Sequence, residues 1–105
     1  MHMIHRVGRL CMAFTAMTVA PSALADLVLA QKSGCTVCHS VEAAIVGPAY
    51  KDVAAKYRGD AAAQDRLVAK VMAGGVGNWG QVPMPPNAHV PAADIKALVT
   101  WILGL

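Results

Sequence analysis

Apolar residues recur at helical spacing along most of the chain beyond residue 26, and no run alternates long enough to make a strand. Between 49 and 57, Tyr50, Val53, Ala54 and Tyr57 fall at i, i+3, i+4 and i+7, the spacing of one buried helical face. Lys51, Asp52, Lys56 and Arg58 lie mostly off that stripe. After a break at Gly59-Asp60, the alanine-rich stretch 61–73 sets Leu67, Val68, Val71 and Met72 on one side, which predicts a second amphipathic helix. Pro91 at a first helical position and Asp94 in the first turn open a final helix whose face is Ile95, Leu98, Val99 and Ile102. Near the start, Asp26 is suited to cap a two-turn helix over 27–33 that Gly34 would end. So short a helix is marginal alone and must dock on something. Residues 40–47 read as a loop carrying Val41, Ile45 and Val46. Gly74, Gly75, Gly77 and Gly80, followed by Pro83, Pro85 and Pro86, exclude regular structure through Asn87. The pattern predicts an all-α domain of about four helices with one long glycine- and proline-rich loop.

The first 25 residues follow a different logic. Arg6 and Arg9 make a basic start, and Leu10–Ala20 is an uncharged, mostly apolar run broken by Pro21 and Ser22. Ala23-Leu24-Ala25 is a small-x-small cleavage site, so residues 1–25 read as a secretory signal peptide. The run would span about 16 Å as a helix against roughly 30 Å of hydrocarbon, which predicts no stable membrane insertion. Arg6 and Arg9 are not adjacent, so no twin-arginine signal is present. Cys11 precedes the apolar run, which argues against lipoprotein processing. Removal after Ala25 leaves residues 26–105 as one domain, exported to the periplasm. The whole chain has a formal charge of +3, but the mature part carries 7 basic and 6 acidic side chains, a net +1. Nucleic-acid binding therefore gains no support from the charge. A domain this small has a thin core and is of the size that leans on a metal or cofactor.

Cys35-Thr36-Val37-Cys38-His39 supplies such a group. Two thiols with two residues between them and a histidine directly after form the attachment pattern of a c-type haem. Each thiol adds across one porphyrin vinyl group, and the histidine beneath the ring binds iron through an imidazole nitrogen. Cys11 falls in the removed segment, so the mature chain keeps only this pair of cysteines. A redox dithiol would want a βαβ setting, and a structural zinc site four nitrogen or sulfur ligands. The mature chain offers no strand pattern and only His39 and His89 beside the two thiols. Haem is the stronger reading.

An electron-transfer haem needs a sixth ligand, and Met72, Met84 and His89 are the candidates. Met72 lies on the apolar face of a helix, where methionine is commonly core filler. Met84 stands between Pro83 and Pro85-Pro86, whose fixed φ values hold an extended segment without helical hydrogen bonds and aim the thioether, so Met84 is favoured. His89 reads as a surface loop residue and Trp101 as core. Pro48 has no N–H but keeps a carbonyl that could accept from the unligated imidazole nitrogen of His39; it could equally just start a helix. Lys70 and Trp79 are polar-tipped candidates for the haem propionates, although spacing alone serves a generic surface or core role nearly as well. The glycine cluster is no phosphate loop, because no Gly-Lys-Ser/Thr follows it.

The stretches CTVCHSVEAAIVGPAYKDVAAKY, WGQVPMPPN and ALVTWIL, in that order, resemble the short bacterial class I cytochromes c of the c-551/c-552 type across essentially all of residues 26–105. The resemblance implies a compact four-helix class I cytochrome c fold around one covalently attached haem c, with the first and last helices crossing and the haem edge exposed. It implies Cys35 and Cys38 as thioether anchors, His39 and Met84 as axial ligands, and the Pro48 carbonyl as the support of His39. It further implies a propionate contact from Trp79 and a place for Asn87 near the Met84 side. Some relatives have arginine at Lys70, which weakens that propionate assignment because lysine lacks the planar fork. The family resembled carries electrons one at a time and performs no catalysis of its own. The expected donor is a quinol-linked cytochrome complex, and the expected acceptors are a nitrite reductase, a terminal oxidase or a cytochrome c peroxidase, met by a monomer. The competing reading is a haem enzyme or ligand sensor with an open sixth iron position.

Overall fold

The computed structural model describes residues 8, 10–16 and 23–105, the side chains of 23–25 excepted. Arg6, Arg9, Pro21 and Ser22, on which much of the export-signal reading rests, lie outside the described residues. Four helices carry the domain: α1 (Ala23–Lys32), α2 (Tyr50–Lys56), α3 (Ala63–Ala73) and α4 (Ala92–Leu103). A single 3-10 turn covers Cys35–Val37. Among the described residues extended pairing is limited to two isolated bridges, His39 with Ala44 and Gly75 with Met84. No helix among them is long and apolar enough to cross a membrane.

α4 is the hub and packs against each of the other three helices. Its apolar stripe divides between two small clusters. Leu98 joins Ala30 and Tyr50, backed by Leu29, Cys35, Val41 and Trp101. Ile95 and Val99 join Val90, backed by Leu67, Val68 and Val71 of α3. Among the described residues the buried side chains are small: four of the nine buried apolar residues are alanine, and Ile95 is the largest side chain that is wholly enclosed. Such a core is thin, and α4 turns the walls of a cleft, not a filled centre, toward α2 and the glycine-rich loop.

The helices depart from the sequence expectation at two starts and at one apolar position. α1 runs back to Ala23, so Asp26 sits within its first turn, complementing the helix dipole, instead of capping it. α3 begins two residues later than the apolar period suggests, because Asp60 Oδ1 accepts the Ala62 N–H at 3.1 Å and holds residues 61–62 as a turn. Met72, expected on the apolar face of α3, is 44% exposed. The helix ends one residue later, and the buried positions of its last turns are met by Leu67, Val68 and Val71.

Candidate functional site

The cysteine-histidine stretch is shaped by a glycine at each side. Gly34 adopts φ 82°, a left-handed conformation that ends α1 and turns the chain into the 3-10 turn carrying Cys35. Thirteen residues on, Gly47 lies against the His39 ring, and a Cβ there would stand 2.5 Å from the imidazole Cε1. The next residue supplies a support. The His39 Nδ1–H donates to the Pro48 carbonyl at 2.8 Å. Since a carbonyl only accepts, Nδ1 carries the proton, and Nε2 is left as the nitrogen free to bind a metal.

The glycine-proline loop returns along the end of α3. Gly75 N–H donates to Met84 O at 3.0 Å and Met84 N–H to Gly75 O at 2.8 Å. Asn87 Nδ2 donates to Val71 O at 3.0 Å and to Pro85 O at 3.2 Å, tying the far end of the loop to the same helix. Cys35, Cys38, His39, Pro48 and Met84 line one cleft, together with Val53, Leu67, Val71, Leu98 and Ile102. Met72, His89 and Asn87 do not line it. His89 borders a separate hollow between α1 and the start of α4.

Lys70 and Trp79 stand at the lip of the cleft. The Lys70 side chain crosses Gly75, where a Cβ would meet its Nζ at 2.5 Å. Trp79 is 44% exposed, and Lys56 lies over its ring with Nζ 4.5 Å from the centroid. The same ammonium donates to Asn78 O at 3.1 Å, so one α2 lysine holds the loop tip by a cation–π contact and a hydrogen bond. Lys70 thus brings a positive charge to a cleft whose other lining residues are mostly apolar.

Three functional contacts escaped the sequence reading. Gly47 was legible only as a loop end and Lys56 only as a charge off the apolar stripe. Tyr50 was read as a member of that stripe, but it also stacks on His39 with ring centroids 5.2 Å apart and planes 18° from parallel. Its hydroxyl lies in the neighbourhood of the Cys35 thiol. Burial first, and then the neighbouring sulfur, push the Tyr50 phenol far above its ordinary range, so it stays a neutral donor. Burial also pushes the Cys35 thiol up, partly offset by the hydrogen bond from Tyr50. No local periodicity signals such contacts, because they join residues 11 and 15 positions apart through a turn.

The residues present fit a porphyrin. There are two thiols at the right spacing, an imidazole with one nitrogen committed to the backbone, a thioether lining the same cleft, apolar sides and a lysine for a carboxylate. A four-helix domain of this form around such a cleft defines a class I c-type cytochrome. The Cytochrome c family model matches residues 28–105. Cytochrome c-552 of Nitrosomonas europaea is 52% identical over 93 residues, covering 89% of this chain and 90% of that relative. Its wild-type crystal structure superposes with a TM-score of 0.73 over 75% of this chain and 98% of that one. Cytochrome c-551 of Azotobacter vinelandii is 53% identical over 75 residues, 71% of this chain and 90% of the relative. The Class 1 cytochrome MtoD of Sideroxydans lithotrophicus superposes with a TM-score of 0.64 at 34% identity, covering 81% and 97% of the two chains. The chain belongs to the cytochrome c family. It carries one covalently attached haem c and is an electron-transfer protein, not an enzyme.

Proposed function

We propose that this cytochrome is a periplasmic one-electron shuttle with a closed His/Met haem site. Cys35 and Cys38 would hold the haem as thioethers, and His39 and Met84 would ligate its iron. The bound haem supplies an iron couple that cycles between Fe(II) and Fe(III). The observation that carries the reading is that His39 and Met84 line one cleft, the His39 ring fixed by its hydrogen bond to Pro48 and the Met84 backbone by two bonds to Gly75. Ligands on so fixed a frame change little between the two charge states, which keeps reorganisation small, and they leave no position for an exogenous ligand. Pro48 orients His39 and raises its basicity. Lys70 and Trp79 contact the propionates, and Asn87 braces the Met84 segment.

The signal is removed after Ala25, which trims the first three residues of α1 and leaves residues 26–105 as the mature domain. Electrons arrive from a quinol-linked cytochrome complex and leave to a nitrite reductase, a terminal oxidase or a cytochrome c peroxidase. The protein works as a monomer that docks briefly and over a small area. Val46, Val76 and Val82 line the mouth of the cleft and are each more than half exposed, which supports docking through apolar contact. Spectra of the oxidised and reduced holo protein test the ligand set. The methionine–iron charge-transfer band and slow carbon monoxide binding are expected. A missing band with rapid carbon monoxide binding would mean an open sixth position, the signature of a haem enzyme or ligand sensor.

A further inference from the structure

Residues 47–50 touch one imidazole in three ways. Gly47 leaves room at its edge, the Pro48 carbonyl takes its Nδ1 proton, and Tyr50 covers its face. The hydrogen bond to Pro48 fixes the direction of a single N–H vector and leaves the ring free to turn about that axis. A second constraint is needed to set the ring plane, and the stacked Tyr50 ring, 18° from parallel, supplies it. Tyr50 is itself held firmly. It is 4% exposed, its N–H donates to Ser40 O at 2.9 Å, and Trp101 of α4 meets it edge-on at 5.6 Å. Through Ser40 the tyrosine is tied to the residue directly after His39, so its place over the imidazole is fixed locally as well as by the core.

We propose that Tyr50 is a positioning residue for electron transfer: its ring sets the plane of the iron-binding His39 imidazole. The proposal rests on the reading of His39 as an iron ligand. The imidazole plane decides how the ligand's π orbital aligns with the iron d orbitals, and hence how unpaired spin spreads over the macrocycle in the oxidised state.

The test compares holo wild type with Tyr50→Phe, Tyr50→Leu and Tyr50→Met by proton NMR of the oxidised proteins. Tyr50→Phe keeps the stack, so the order of haem-methyl shifts stays. Tyr50→Leu and Tyr50→Met lose the aromatic face, so the methyl order changes while the Met84 signals and c-type haem spectrum persist. Tyr50→Met fills more of the volume and serves if Tyr50→Leu fails to accumulate. An unchanged methyl order in the non-aromatic variants overturns the proposal. Absence of hyperfine-shifted imidazole signals in the wild type overturns the ligand reading itself and the proposal with it, and so separates the two failures.

Discussion

Gly75 and Met84 exchange two backbone hydrogen bonds, of 3.0 and 2.8 Å, so the methionine of the cleft is stapled to the end of α3. The staple depends on the glycine before it. Gly74 adopts φ 71° at the C-terminus of the helix, and a Cβ there would stand 2.5 Å from Met84 O and 2.8 Å from Pro86 N. Both neighbours are backbone, which cannot swing aside. The close approach that aims Met84 thus requires glycine twice over, for its conformation and for its missing side chain.

Gly74→Ala is therefore expected to lower stability by about 2–4 kcal/mol, summing the strain of a non-glycine residue at positive φ and an overpacked contact. The loss falls on the Met84 side of the cleft. Denaturant titration followed at the methionine–iron band should show that band disappearing before the helical circular dichroism does. Coincident loss of the two signals at the wild-type midpoint would show that the staple contributes nothing.

Met84→Ala removes the thioether without disturbing either backbone bond to Gly75. The haem stays attached, the charge-transfer band vanishes and reduced protein binds carbon monoxide rapidly. Because an imidazole in place of a thioether lowers the potential, substitution by histidine should shift the potential down while keeping six-coordination. Retention of the wild-type spectrum in Met84→Ala would move the assignment to Met72 or His89, neither of which lines the cleft.

The sequence made the helical faces legible because burial imposes a period, and Tyr50, Ala54, Ile95, Leu98 and Val99 are indeed buried. It made the haem motif legible because covalent attachment imposes a spacing. What it could not show is contact between residues related by neither rule. Tyr50 satisfied the helical period, and that hid its stack on His39; Lys56, off the stripe, holds Trp79 from 23 positions away. Met72 failed for the converse reason: the helical period continues past the point where α3 leaves its neighbours, so a residue in register with the stripe ends in solvent. At the other end of that helix, an aspartate in a break looked like punctuation but serves as a side-chain acceptor for Ala62.

That aspartate gives a pH dependence of known sign. The hydrogen bond from Arg66, chiefly, holds the Asp60 carboxyl below its ordinary range, with the Ala62 N–H adding to it. A depressed folded value means that the stabilisation is present above the unfolded value, about 3.9, and is lost as pH falls through the folded one. Asp60→Asn should lower the denaturation midpoint slightly at neutral pH, because the pair is solvent-exposed. The difference from wild type should close as pH falls through the folded value and the wild-type carboxyl protonates. Denaturant curves on both proteins across acidic pH check this, and a gap that widens with acid would reverse the assigned sign.

The thin core makes a second stability prediction. With four alanines among nine buried apolar residues and a cleft beside α4, the chain alone buries little against the entropy of ordering. Cys35→Ala combined with Cys38→Ala should yield protein without covalent haem, with weak helical circular dichroism and a broad, non-cooperative thermal transition. A sharp transition in this variant would mean that α4 and its two small clusters suffice alone.

Docking is the last property the surface bears on. Val46, Val76 and Val82 are 55%, 54% and 64% exposed around the mouth of the cleft, an unusual concentration of large apolar side chains in water. Among the charges of the domain, Glu42 pairs with Lys51 at 2.6 Å and Lys56 lies over Trp79, which leaves Lys70 as the charged residue lining the cleft. The formal +1 of residues 26–105 adds little long-range field. Steering by charge is screened within about 10 Å at 0.1 M salt, whereas apolar contact is not. The bimolecular rate of electron exchange with a redox partner should then change by less than about threefold between low and physiological ionic strength, where steered pairs fall steeply. Val82→Asp places a charge in the patch without touching a ligand, and should slow exchange about tenfold, equivalent to ~1.4 kcal/mol. Stopped-flow oxidation by a nitrite reductase and by a terminal oxidase measures both effects. A steep salt dependence with an unaffected Val82→Asp would move the docking surface away from the valines to the lysines of α2 and α3.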